Sequence, residues 1–329
     1  MKFSLLMGGL AILTAAAFAL SLLVGPAAIG VRELLALIGG GDLDTAGLIM
    51  REIRLPRTLL GFLIGASLGL SGAALQGYLR NPLAEPGVIG VSAMAAFGAV
   101  IAIYTGLSVT APWALPLMAI GGSALAVIVL QACAGSRGVL SLILVGVALS
   151  SLASALISLA LSLSPNPYAS LEIVFWLLGS LSDRSMEQVW LALPFMLVGW
   201  LLIAGTARAL DVLSLGEEAA AGLGVDLKRT RVLIITGTAL AVGAGTAVAG
   251  VIGFVGLVVP HLLRPLVGHQ PSRLLAASAL GGALLVLLAD ILVRVITPDA
   301  ELKLGVVTAL VGTPFFLYLA LASRARFPA

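Results

Sequence analysis

The chain has 329 residues, of which 60% are hydrophobic and 10% charged, with a mean hydropathy of +1.16. A soluble domain carries roughly 25% charged residues to cover its water-facing surface, so a soluble enzyme and a disordered scaffold are excluded. Eighteen Lys+Arg against 15 Asp+Glu leave a net charge of +3, too little for a nucleic-acid-binding surface and better read through membrane topology.

Phe3 to Val24 carries no charge; as a helix it spans about 33 Å, the thickness of a bilayer core. It is too long for a signal-peptide apolar region and is expected to stay attached as a first span. Thr58 to Leu79, uncharged and rich in Gly, is a second. Pro86 to Ser136 holds two more, turning at Gly106, Pro112 and Pro116. Cys133, the single cysteine, lies in this run and is expected to be a small buried hydrophobe, so neither a disulfide framework nor a cysteine metal site exists. Gly138 to Leu171 gives a fifth span, broken at Ser164-Pro165-Asn166-Pro167, and Ile173 to Leu181 is too brief to cross. Gln188 to Ala207 is a sixth, followed by a polar stretch from Arg208 to Arg231. Val232 to Arg264 reads as a seventh span and a short eighth ending at a proline. Leu274 to Ile296 and Leu304 to Ala322 complete about ten.

Charge tests the orientation. With a cytoplasmic N-terminus and alternating spans, Arg32, Arg51, Arg54, Arg57, Arg184, Arg294 and Lys303 fall outside and the other eleven of the 18 cations inside, including Lys2, Arg80, Arg137, Arg324 and Arg326. Ten of the 15 acids fall outside. The inner side is the positive one, as cytoplasmic loops require. The C-terminus is then cytoplasmic too.

Gly61, Gly65 and Gly69 continue into Ser71 and Gly72 on the second span, stacking small residues on one face where another helix can approach closely. Gly237, Gly243, Gly245 and Gly250 echo this on the seventh. In Arg54-Leu55-Pro56-Arg57, Pro56 suits a first helical turn. Arg54 and Arg57 share a face, either snorkelling to lipid headgroups or forming a docking patch for an acidic partner. Arg80-Asn81-Pro82-Leu83-Ala84-Glu85-Pro86-Gly87 forbids regular helix and is either a plain turn or a gate lining the inner end of a pathway. Ser214-Leu215-Gly216-Glu217 matches a capping box with Ser214 as N-cap. Gly222 and Gly224 would end the short helix it opens, and Asp226 can cap the next one. That segment is an ordinary loop or a surface gripped by another protein. Asp290 and Arg294 are spaced for an ion pair. His261 and His269 lie beside Arg264 and Arg273 without a metal-binding pattern. None of Lys2, Lys228 and Lys303 follows a Gly, so there is no phosphate-binding loop and no ATPase site.

Arg54-Leu55-Pro56-Arg57 with Gly65-Ala66, Ser71-Gly72-Ala73, Gln76-Gly77 and Arg80-Asn81-Pro82-Leu83-Ala84 resembles the FecCD-type permeases, the membrane subunits of ABC importers for iron-siderophores, haem and vitamin B12. So do Gly216-Glu217-Glu218-Ala219, Leu223-Gly224-Val225, Gly253-Phe254-Val255-Gly256-Leu257, Pro260-His261 with Arg264, and Gly305 to Ala309 with Gly312 and Pro314-Phe315. The resemblance implies an all-α membrane protein of about ten transmembrane helices, one permease domain over residues 1–329, working as a homodimer in the bacterial inner membrane among its lipids. Two cytoplasmic ATP-binding cassette subunits and a periplasmic substrate-binding protein would be its partners, with no nucleic acid, cofactor or metal of its own. Carried over by motif, Arg54, Arg57 and Arg294 dock the binding protein. Ser214, Leu215, Gly216, Glu217, Glu218, Ala219, Gly222, Leu223 and Gly224, within a coupling segment of about 208–231, contact the ATPase. Asn81 and Leu83 form the inner gate. Some relatives carry small hydroxyl residues at a second gate, where Val139 and Leu140 stand here, followed by Ser141. The alternative, an ion-coupled secondary transporter, would want ionisable residues deep in its spans, and only Asp290 comes close. A membrane enzyme would need a nucleophile–base or metal constellation, which is missing.

Overall fold

The computed structural model describes residues 3–25, 45–111, 113–134, 138–164, 166–296 and 302–324. Lys2, Arg32, Pro112, Arg137, Pro165 and Arg326, and the side chains of Val139 and Arg324, lie outside what is described.

The described chain is helical. Helix α1 covers Phe3–Leu23. After the short helix Thr45–Ile49 and a π-turn at Met50–Arg54 comes α2, Leu55–Tyr78, with Pro56 in its first turn as expected. Then follow α3 (Val91–Tyr104), α4 (Ala114–Ala134), α5 (Gly138–Ser162), α6 (Pro167–Leu177) and α7 (Met186–Ala204). Two short helices, α8 (Ala207–Leu213) and α9 (Glu217–Gly222), precede α10 (Leu227–Ala249). The chain ends with α11 (Val255–Leu263), α12 (Pro271–Ile296) and α13 (Leu304–Arg324). Among the described residues seven helices are long and apolar enough to cross a membrane, and Val91–Tyr104 and Leu304–Tyr318 are shorter apolar ones. With the short α11, these occupy the ten expected positions.

Burial separates a centre from a rim. An 18-residue apolar stretch is 89% buried within Thr45–Tyr78 and 78% buried within Leu227–Ala249, against 22% within Leu140–Ser162. Apolar side chains on the rim therefore face outward, which is how a bilayer-embedded surface is built. Cys133 corrects one expectation, for it is exposed near the end of α4. In a chain whose outer surface is also apolar, an apolar run does not imply an interior position.

The glycine ladder is a packing seam. The most extensive helix pair is α2 with α12. A Cβ at Gly65 would stand 2.7 Å from the Cα of Ala283, one at Gly69 would run into the carbonyl of Ser278, and one at Gly72 into the backbone of Gly256. Close backbone approach of this kind needs residues without side chains. On α10, a Cβ at Gly237 would lie 2.8 Å from the Gly199 carbonyl and one at Gly243 2.7 Å from the Ser123 Cβ, seating α7 and α4 in the same manner.

Candidate functional site

The charged groups collect at two ends of the bundle. At one end α2 presents Arg57 to α12. Its Nε donates to both Asp290 carboxylate oxygens at 3.0 and 3.1 Å, and its Nη2 to Oδ1 at 2.8 Å. One turn beyond Asp290, Arg294 pairs with Oδ2 at 2.9 Å. Arg294 also donates to the carbonyls of Ser21 and Val24 at 2.7 and 2.6 Å and to Ser21 Oγ at 2.6 Å. Arg54 donates to the carbonyls of Leu22 and Leu23 at 2.9 and 2.7 Å. The last carbonyls of a helix have no partner within it and favour cations; here Arg54 and Arg294 supply both needs for α1. The Asp290 side chain is 2% exposed, Arg294 7% and Arg57 17%.

The structure thus brings together all three arginines that the sequence singled out and turns them onto partners in the chain. Burial of Arg54 and the pairing of Arg57 with Asp290 argue against the lipid-headgroup snorkelling considered for them. The Asp290–Arg294 pair is as expected. The share of Arg57 in it was not foreseen, since 233 residues separate Arg57 from Asp290.

At the opposite end α2 stops at Tyr78, and Arg80 takes a left-handed backbone (φ 47°). The Asn81 side chain accepts from the Leu83 N–H at 2.9 Å, and the Ala84 N–H donates to the Asn81 carbonyl at 3.1 Å. Asn81 thereby shapes the turn through its own amide, and Leu83 sits half-buried on it. The stretch is irregular as expected, and Ser150 of α5 holds it by donating to the Gly87 carbonyl at 3.2 Å. Glu85 points inward and accepts from the backbone N–H of Phe254. Burial pushes its carboxyl above the usual carboxylate range, and that N–H pulls it part of the way back.

Beside this loop lie α8 and α9. The capping box expected at Ser214 is absent: Ser214 closes α8, its Oγ donating to the Asp211 carbonyl at 2.6 Å, and Gly216 is the N-cap of α9. The reason is backbone geometry. Only two residues remain for the reversal, and one must take φ 112°, which glycine alone adopts cheaply. Gly222 does end α9, Gly224 follows with positive φ, and Asp226 caps α10 by accepting from the Arg229 N–H at 2.8 Å. The helix α10 begins at Leu227, earlier than the expected Val232. Leu215 and Leu223 flank α9 as exposed apolar residues, whereas Ala220 is buried. A Cβ at Gly216 would lie 3.8 Å from a guanidinium nitrogen of Arg80, so α9 adjoins the start of the Asn81 loop. Asp211 holds the far side, accepting from the Ser272 N–H at 2.8 Å and from Gln270 Nε2 at 3.2 Å at the start of α12. Of the second gate position, Leu140 is exposed.

Sequence reasoning missed the role of α11. Gln76 of α2 donates to the carbonyls of Gly256 and Leu257 at 3.3 Å each, and Arg264 donates to Gln76 Oε1 at 2.6 Å. The polar side chain inside the otherwise apolar second span was the available signal.

Comparison with known proteins places this geometry. The model of the FecCD transport family matches residues 13–322. YvrB of Bacillus subtilis strain 168, an ABC transporter permease protein, is 42% identical over 274 residues, 82% of this chain and 77% of its own. BtuC of Citrobacter koseri, a vitamin B12 import system permease protein, is 40% identical over 279 residues, 84% of each chain. The structure of a metal-chelate type ABC transporter in an inward-facing conformation aligns with a TM-score of 0.85 at 33% identity, over 97% of this chain and 99% of that one.

Proposed function

The chain belongs to the FecCD transport family, a family of multi-pass ABC permease subunits that hold no ATPase site of their own, and on that premise we propose that it is the membrane subunit of an ATP-driven importer of a metal chelate. Iron-siderophores, haem and cobalamin form the substrate class, and cobalamin is the first to test because BtuC relatives carry its name. Two copies rock against each other and open a pathway on their shared axis alternately to the periplasm and the cytoplasm. Two ATP-binding cassette subunits grip the Ser214–Gly224 segment. A periplasmic binding protein settles on the end that holds Arg54, Arg57 and Arg294. Arg57, the most exposed of these, offers its guanidinium fork to a carboxylate of that protein while Asp290 keeps it in place. Asn81 and Leu83 close the cytoplasmic end.

The observation that carries this proposal is the position of α9. The exposed Leu215 and Leu223 that flank it suit a partner protein, and its N-cap Gly216 lies beside Arg80 at the root of the Asn81 loop. A partner moving α9 would act on that loop directly, with no long relay between them. The test is affinity purification of the tagged chain from its own membrane in mild detergent. ATP-binding subunits in equal number should come with it, and replacing Glu217 and Glu218 by Lys should abolish their capture. A chain that elutes without any ATPase would overturn the proposal.

A further inference from the structure

Phe254 is an unusual residue in its backbone and its neighbours. It has φ 65°, a left-handed conformation that a bulky residue adopts only when its surroundings enforce it. Two enforcing contacts are visible. Its N–H is held by the carboxyl group of Glu85. Its side chain lies against Gly312 of α13, where a Cβ would run into the Phe254 Cβ and the Cγ of its ring. The first turn of α11 that follows is also closely backed. A Cβ at Gly256 would be 3.1 Å from Pro86 Cδ, so the Asn81–Gly87 loop backs directly onto the first turn of α11.

The helix on the other side of Phe254 is loosely held. Apolar grooves of about 440 and 610 Å³, both lined by Phe254, separate α13 from the body. Its outer face is exposed at Leu310, Val311 and Leu317. Its start is pinned where the Gly305 N–H donates to the Gly179 carbonyl at 3.3 Å. Beyond that pin, Gly312 seats on Phe254, and Phe315 meets His261 edge to face with ring centroids 5.7 Å apart.

We infer that Phe254 is a bearing between the cytoplasmic gate loop and α13: Glu85 fixes its backbone, Gly312 rides on its side chain, and a movement of the loop is passed to α13 through it. Glu85, Phe254 and Gly312 are positioning residues in this scheme, which rests on the proposed ATP-driven cycle.

The test uses the complete complex with its ATPase subunits, carrying Cys133→Ser and a reporter cysteine at the exposed Pro82. Maleimide labelling of the reporter is compared in the nucleotide-free and vanadate-trapped states. Glu85→Ala and Gly312→Ala should each shrink the change in labelling rate at least fivefold. The double variant should do no more than either alone, because both act through one residue. Glu85→Gln, which still accepts the Phe254 N–H, should keep at least half of the change, and Gly121→Ala, with nothing within 4 Å of its added Cβ, all of it. If Gly312→Ala fails to fold, Phe254→Gly takes its place, since glycine tolerates the backbone and removes the ring. A normal change in either single variant, or effects that multiply in the double variant, overturns the bearing. A parent complex that shows no vanadate response removes the ATP-driven reading together with it.

Discussion

Replacing Asp290 by Ala isolates what the buried charge cluster contributes. The carboxylate is 2% exposed and meets two guanidinium groups that are themselves 17% and 7% exposed. Its removal leaves both cations buried, side by side and without their anion. Breaking a buried ion pair from one side costs about 3–5 kcal/mol. The upper half of that range applies, because Arg294 has no route to water while it holds the end of α1. Replacing Arg57 by Ala is milder, since Arg294 still balances Asp290, and the loss of charged hydrogen bonds costs about 1.5–3 kcal/mol. At about 2 °C for each kcal/mol in a chain of this size, Asp290→Ala should lower the melting temperature of the detergent-solubilised protein by about 8–10 °C. Adding Arg294→Met to it should recover part of the loss, because one orphaned cation is then gone. A melting temperature within about 1 °C of the parent for Asp290→Ala, or a double variant less stable than the single, would refute the reasoning.

Gly69→Val should separate α2 from α12 and destabilise the fold by at least the ~1–3 kcal/mol typical of overpacking, seen as a lower melting temperature, whereas Gly121→Ala should leave it unchanged. Ser214→Ala should change stability by less than about 0.5 kcal/mol, as for a surface site, whereas Asp226→Ala should cost about 1 kcal/mol as a true N-cap and raise amide exchange at Arg229. Leu215→Asp with Leu223→Asp should abolish capture of the ATPase subunits without moving the melting temperature, since both side chains are exposed; co-purification and a melt check this together.

The membrane spans were legible because a charge is expensive in a bilayer and 10% of the residues carry one. Breaks at Gly106, at Asn166-Pro167 and through Asn81 to Gly87 were legible for the same kind of reason, since Pro and Gly leave the backbone few alternatives. The start of α10 was not, because Lys228, Arg229 and Arg231 resemble a loop until Asp226 is seen capping the helix that carries them. The capping role of Ser214 failed against a tight reversal that only Gly216 can make. Arg54 and Arg57 were recognisable as a pair, yet nothing in a linear chain announces that Arg57 will meet Asp290 or that Arg54 will meet the end of α1. Phe254 is the least legible of all. Its left-handed backbone runs against the preference of a large side chain, and the neighbours it meets there, Glu85 and Gly312, come from distant parts of the chain.

The most direct measurement reconstitutes the chain with its ATP-binding subunits in vesicles and follows cobalamin, a ferric siderophore and haem, each delivered by the cognate binding protein. Uptake of one of these chelates that requires ATP inside the transport complex, stops with vanadate and ignores collapse of the ion gradients is the predicted result. Uptake driven by an ion gradient in the absence of ATP would contradict it.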